Sequence, residues 1–169
     1  MPGPDRLARD LLLGALAGGL ATWSMGKVTT YLYERQDPDA LAREQAVSGK
    51  PTYQVAAEKA ARLAGLAPSE ADLGRAGQAL HWALGIGAGA LYGALRRRLP
   101  GADAAQGLAF GLAFFLVVDE FLNTALGFAK APPAYPWQTH ARGLAGHLAY
   151  GLVAETTLDL ADRAALGAR

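Results

Sequence analysis

Apolar residues along this chain gather into four windows, residues 11–33, 76–95, 104–129 and 143–158, parted by polar stretches. Together the windows hold only four charges: Lys27, Asp119, Glu120 and Glu155. A helix on the surface of a soluble domain alternates polar and apolar faces with each turn. Residues 79–95 do not alternate; apart from His81 they are apolar or small all round. A bilayer span needs roughly 17–25 mostly apolar residues. The second window meets that requirement cleanly. The first meets it if Lys27 snorkels to an interface, the third if its two acids are sheltered, and the fourth is short. The pattern predicts an all-α, polytopic membrane four-helix bundle, a single integral membrane domain over residues 1–169.

Arg6 and Arg9 precede the first window as the basic end of a signal peptide would. The apolar run continues through Trp23, Val28 and Tyr31 without a small-x-small cleavage site, so it reads as a retained span. Between the first two windows lies a helical connector, residues 34–75, an amphipathic insert expected along the membrane surface. Asp37-Pro38-Asp39 starts a helix through Val47, and Gly49 and Pro51 end it. Thr52 is expected to cap a second helix with Tyr53, Val55, Ala56, Ala60, Leu63 and Leu66 on one face. Ser69 with Asp72 has the spacing of a capping box and opens the next long helix.

Composition alone conceals this pattern. Hydrophobic residues are 51%, charged residues 18% and the mean hydropathy is +0.11, values that soluble domains also reach. The 18% is an average over two unlike populations, one nearly uncharged and one polar. There is no Cys, which removes thiolate metal sites and Cys nucleophiles. A net charge of +1 lacks the basic excess of a nucleic-acid binder, so no nucleic-acid partner is expected. Lys and Arg in short loops set membrane orientation. Arg6, Arg9, Arg96, Arg97, Arg98, Arg163 and Arg169 lie on the side of both termini, against Lys130, Arg142 and the more diluted charges of the long connector on the other, which places the termini in the cytoplasm.

The 21 glycines acquire a meaning once they are mapped. Gly77, His81, Gly85, Gly89 and Gly93 recur every four residues in the second window, and Gly143, His147 and Gly151 in the fourth. Small residues at this spacing let membrane helices approach closely, within the chain or in a homodimer. The first helix of each half opens with glycines four apart, Gly14/Gly18 and Gly107/Gly111. The second carries A-x-H-x-A-x-G, at Ala79–Gly85 and again at Ala145–Gly151, so the chain reads as two similar helix pairs. A series at steps of four, Gly107, Gly111, Phe115, Asp119, Asn123 and Gly127, also runs through the third window. Steps of four drift by about 40° around a straight α-helix, so such a line holds only if the helices cross or coil.

His81 and His147 sit on the small-residue stripes at matching depth, and Asp119 reaches a similar level from the third span. With Glu120 they form the expected polar intramembrane layer, which Lys27 can join. Acids at this depth cost about 2.5–3.5 kcal/mol on insertion scales and are usually sheltered and functional. Four readings follow: a His–carboxylate tie that stabilises the bundle, a divalent metal on His81, His147 and Asp119, haem held by both His, or a proton or ion path continuing to Glu155. Glu155 with Asp159 otherwise reads as the snorkelling end of a helix, His140 beside Arg142 as interfacial, and Tyr92 and Tyr150 as hydrogen-bond donors or packing residues. No Ser nucleophile with a matched base, P-loop or dinucleotide fingerprint is present, and no enzymatic activity is expected.

The run HWALGIGAGALYGALRRR from His81, with APPAYPWQTHARGLAGHLAYGL from Ala131 and the connector stretch PTYQVAAEKAARLAGL, resembles the YagU-like small bacterial inner-membrane proteins. The resemblance covers roughly residues 11–158. It implies a multi-pass protein of the bacterial inner membrane and no settled activity, so it does not choose among the four readings. The expectation carried forward is a non-enzymatic protein in the lipid bilayer, without a cofactor, whose polar layer stabilises the bundle. The alternative is a binding or transport protein that uses the layer for a metal ion, haem or protons.

Overall fold

The computed structural model describes residues 4–167, so Arg169 lies outside the described residues. The chain folds as α1 (Pro4–Tyr33), α2 (Pro38–Val47), α3 (Thr52–Leu63), α4 (Glu70–Leu95), α5 (Leu108–Ala125) and α6 (Trp137–Gly167), with a 3-10 turn at Pro132–Ala134. No strand occurs among the described residues. α5 is an α-helix at both ends and winds as a π-helix over Phe115–Leu122.

Two helices, Arg6–Tyr33 and Leu108–Ala125, are long and apolar enough to cross a membrane. α4 and α6 are long enough, at 26 and 31 residues, but fall short in apolarity. Glycines together with Gln78 and His81 dilute α4, and His140, Arg142, His147 and Glu155 dilute α6. By this measure two of the four expected spans stand. The windows also differ from the helices in length. Residues 104–107 belong to a left-handed turn ahead of α5, and α6 extends well beyond 143–158 at both ends.

The long helices pack side by side: α1 lies along both α4 and α6, and α6 carries α5. Glycine decides how close they come. A Cβ at Gly89 would fall within 3.0 Å of Gly18 Cα and Gly14 O, and one at Gly151 within 3.0 Å of Gly107 O and Gly111 N. In α1–α4, Gly14 faces Gly89 and Gly18 faces Gly85; in α5–α6, Gly107 faces Gly151 and Gly111 faces His147. The two halves thus use the same contact, one turn out of register relative to the sequence repeat. These contacts are made within the chain, so the same glycine faces are not open to a second copy.

The distribution of side-chain types is inverted. The buried cluster is small and includes Ala17, Ala21, Tyr92, Tyr150 and Ala154, while Arg96, His147 and Glu155 are also buried. Leu12, Leu16 and Leu20 of α1, and Leu116, Val117 and Phe121 of α5, face outward.

The connector folds as the local signals predict, with corrections in detail. Asp37 caps α2 by accepting from the Ala40 N–H at 2.9 Å. Ser69 caps α4, accepting from the Asp72 N–H. Pro51, not Thr52, occupies the cap of α3 and makes no side-chain cap bond. On α3 the buried residue is Ala57, whereas Leu63 and Leu66 are exposed. The connector is also more than a surface excursion. α3 packs on α4, where a Cβ at Gly77 would meet the Gln54 backbone at 2.9 Å. Lys59 donates to the Leu126 carbonyl at 2.8 Å, and Arg142 pairs with Glu44 at 2.5 Å. α2 and α3 therefore close over one end of the bundle.

A His–carboxylate cavity under the connector

Under that cover lies a cavity of about 940 Å³. α4 contributes His81, α5 contributes Asp119 and Glu120, and α6 contributes His140 and His147. Tyr53 and Glu44 line it from the connector. The polar layer expected from the sequence thus lines one space, but its internal pairing differs from the expected one.

The π segment of α5 accounts for the first pairing. An α-helix carries a stripe of every fourth residue steadily off a partner. A π turn is wider, with i→i+5 bonds, and turns each residue through a smaller angle, so the drift reverses over Phe115–Leu122. Gly111, Phe115 and Asp119 therefore all stay on α6. A Cβ at Gly111 would meet the His147 backbone, and one at Gly143 would stand 3.0 Å from the Phe115 ring and 3.5 Å from Asp119 Oδ2. Asp119 Oδ2 lies 3.7 Å from His147 Nδ1, too far for a hydrogen bond. That nitrogen donates instead to the Gly143 carbonyl at 2.9 Å, since a carbonyl only accepts.

Glu120 pairs with His140, a residue expected at the interface. Glu120 Oε1 is 2.6 Å from His140 Nδ1, and His140 Nε2 donates to the Pro132 carbonyl at 3.0 Å. Nε2 therefore carries a proton, and a second proton must lie between Nδ1 and the carboxyl group for that short contact to form. The pair is either neutral His with the protonated acid or imidazolium with carboxylate.

His81 stands apart from both pairs, its ring 5.2 Å from that of Tyr53. Among the described residues no three His, Asp or Glu side chains are gathered to hold a metal ion. The proposed His81, His147 and Asp119 ligand set is thus not assembled: His147 turns Nδ1 to the Gly143 carbonyl and His81 packs against Tyr53. Lys27 also stays out of the layer. Its ammonium lies 5.7 Å from the Trp23 ring, in an adjoining groove of about 550 Å³ between α1 and α4 that shares His81 with the cavity.

Below the cavity the bundle is closed. Tyr92 stacks on Phe110 at 4.3 Å, and Phe114 packs edge-on to Tyr150 at 5.3 Å. Tyr150 donates to the Gly85 carbonyl at 2.5 Å, crossing to α4 at the point where glycine leaves that carbonyl accessible. Next to this aromatic layer, Glu155 is only 5% exposed and accepts from both the Tyr92 hydroxyl and Arg96. Arg96 also reaches Asp159 at 3.2 Å and Asp162. Glu155 is therefore part of a buried ion network and not a snorkelling helix end. Sequence reasoning missed the role of Arg96, because an Arg run reads first as a charged loop. The visible signal was the row Glu155, Asp159, Asp162, which shares one face of α6 and requires a cation opposite it.

Over the cavity, Glu44 holds the connector down. It accepts from Arg142 at 2.5 Å, from Thr139 at 2.8 Å and from Gln36 at 3.1 Å. Burial opposes its ionised form, but the hydrogen bonds from Arg142, Thr139 and Gln36 outweigh it and hold the pKa below the ordinary carboxylate value. A depressed carboxylate stabilises the fold above its unfolded pKa and loses that contribution as pH falls through the folded value. Acidification below about pH 4 should therefore loosen α2, read as lost amide-exchange protection over residues 38–47. In Glu44→Gln the weaker protection should already be present at neutral pH, with no further acid step. An acid step of the original size in that variant would assign the effect to another group.

The chain matches no family model, no curated protein and no solved structure.

Proposed function

We propose that this is a non-enzymatic, four-span protein of the bacterial inner membrane whose His–carboxylate cavity binds a small solute. One observation carries the reading: Arg96, His147 and Glu155 are buried and further ionisable groups line the cavity, while leucines of α1 and α5 face outward. In water that distribution would expose a large apolar surface; in a bilayer it is the favourable one, and intramembrane ionisable groups then mark binding or transport sites. On this reading the glycine-rich α4 and the polar-lined α6 are also spans, sheltered by α1 and α5. The resemblance of residues 81–98 and 131–152 to the YagU-like proteins supports the same placement. A cavity lined by an Asp119 carboxylate that no side chain hydrogen-bonds among the described residues favours a binding role over a purely structural tie. The threonines beside the cavity do not favour catalysis: Thr22 donates to Gly18 O at 2.7 Å and Thr29 to Met25 O at 3.0 Å, each on its own helix.

The natural absence of Cys permits a direct test. Single cysteines at Ser48, in the connector, and Ala129, after α5, should react with a membrane-impermeant maleimide from outside the cell. One at Ala102, in the loop before α5, should react only after lysis. Labelling of Ala102 from the same side as Ala129, or recovery of the protein in the soluble fraction without detergent, would overturn the four-span reading.

A further inference from the structure

Taken one by one, the charged groups of the cavity leave a single carboxylate without a hydrogen-bonded partner. Glu44 is held by Arg142 at 2.5 Å and Glu120 by His140 at 2.6 Å. Lys50, at the rim, is held by Glu58 and by Glu70 at 3.0 Å. Lys130 lies on the exposed loop after α5. Asp119 differs from all of these. Its side chain makes no hydrogen bond among the described residues, and the nearest cationic candidate, His147 Nδ1 at 3.7 Å, has committed its proton to the Gly143 carbonyl. About a third of the Asp119 side chain is exposed (37%), and it lines the cavity.

A carboxylate removed from bulk water needs a counter-charge or it neutralises. The walls around Asp119 indicate which counter-charge fits. Phe114 and Tyr53 line the same space, and aromatic faces attract cations that have shed their water. A hard divalent ion needs several close ligands, and no three His, Asp or Glu are gathered among the described residues. A bulky organic cation needs only one carboxylate, aromatic faces and room.

We propose that the cavity takes a small organic cation of the ammonium or phosphonium class, with Asp119 as its counter-ion and the aromatic walls as its cage. This assignment rests on the cavity being a solute site of a membrane bundle, and it names the chemistry of that solute.

The probe is tetraphenylphosphonium, titrated calorimetrically into the detergent-purified full chain, with neutral triphenylphosphine oxide as its uncharged counterpart. The expected result is saturable binding of the cation alone, one per chain. Asp119→Asn should weaken it at least about tenfold, equivalent to roughly 1.4 kcal/mol. Asp119→Glu should restore part of the affinity. The melting temperature of Asp119→Asn should stay near that of the parent, because Asp119 has no hydrogen bond to lose; a structural tie would instead lower it and leave binding intact. Equal binding of the neutral compound, unchanged affinity in Asp119→Asn, or no saturable binding of tetraphenylphosphonium overturns the proposal. Cysteine labelling reads the membrane placement independently. A four-span labelling pattern with no cation binding would therefore remove the cation assignment alone.

Discussion

Arg96→Ala should destabilise the bundle by about 3–5 kcal/mol, the range expected when one partner of a buried ion pair is removed. Arg96 is 6% exposed, and its guanidinium reaches Glu155, Asp159 and Asp162 together. Without it, Glu155 keeps only the Tyr92 hydroxyl and lies buried beside two further acids of the same helix. The cost comes less from the lost attraction than from the unpaired carboxylate left behind. Two comparisons separate these contributions. Glu155→Gln retains a group that can bond Tyr92 and should cost less than Arg96→Ala. The double variant Arg96→Met with Glu155→Leu removes both charges and should recover much of the loss. Thermal unfolding in detergent reads all three. If Arg96→Ala melts like the parent, the network is solvated and carries no such role.

The second large effect is expected at Gly89. Its absent side chain is where α1 and α4 touch, and a Cβ there would stand within 3.0 Å of three backbone atoms of α1. Backbone cannot step aside as a side chain can. Gly89→Ala should therefore cost about 1–3 kcal/mol, and Gly89→Val more or fail to assemble. Gly87 sits two residues away on the same helix with nothing within 4 Å of its Cβ position. Gly87→Ala should be neutral or stabilising by up to about 1 kcal/mol, through helix propensity alone. Similar melting temperatures for Gly87→Ala and Gly89→Ala would mean that helix propensity, not close packing, explains the glycines of α4.

The elements were largely legible. Asp37, Ser69 and the Gly49/Pro51 break are short-range signals, and the helices begin and end close to them because capping is decided within three or four residues. The glycine stripes were legible for a related reason: period four on a helix reports one face, and a face made of hydrogens can only serve close approach. Their register was not legible, and the second pair packs one turn away from the position the repeat suggests. The site was half legible. His81, His147, Asp119 and Glu120 do line one cavity, but the pairing of Glu120 with His140 depends on how α5 winds.

Much of that winding lies outside what a linear pattern encodes. Sequence alone settled the helical segments, the separation of apolar from polar stretches, and the residues too costly to bury without a purpose. Those are properties of single helices, set by local hydrogen bonding, side-chain chemistry and a period of 3.6. Tertiary structure alone decided which acid meets which histidine, that Arg96 serves Glu155, and that the connector closes over the cavity. Each of these joins residues about 20 to nearly 100 positions apart. Such pairings follow from the crossing and register of whole helices, and the π segment of α5 shifts the register where the cavity forms.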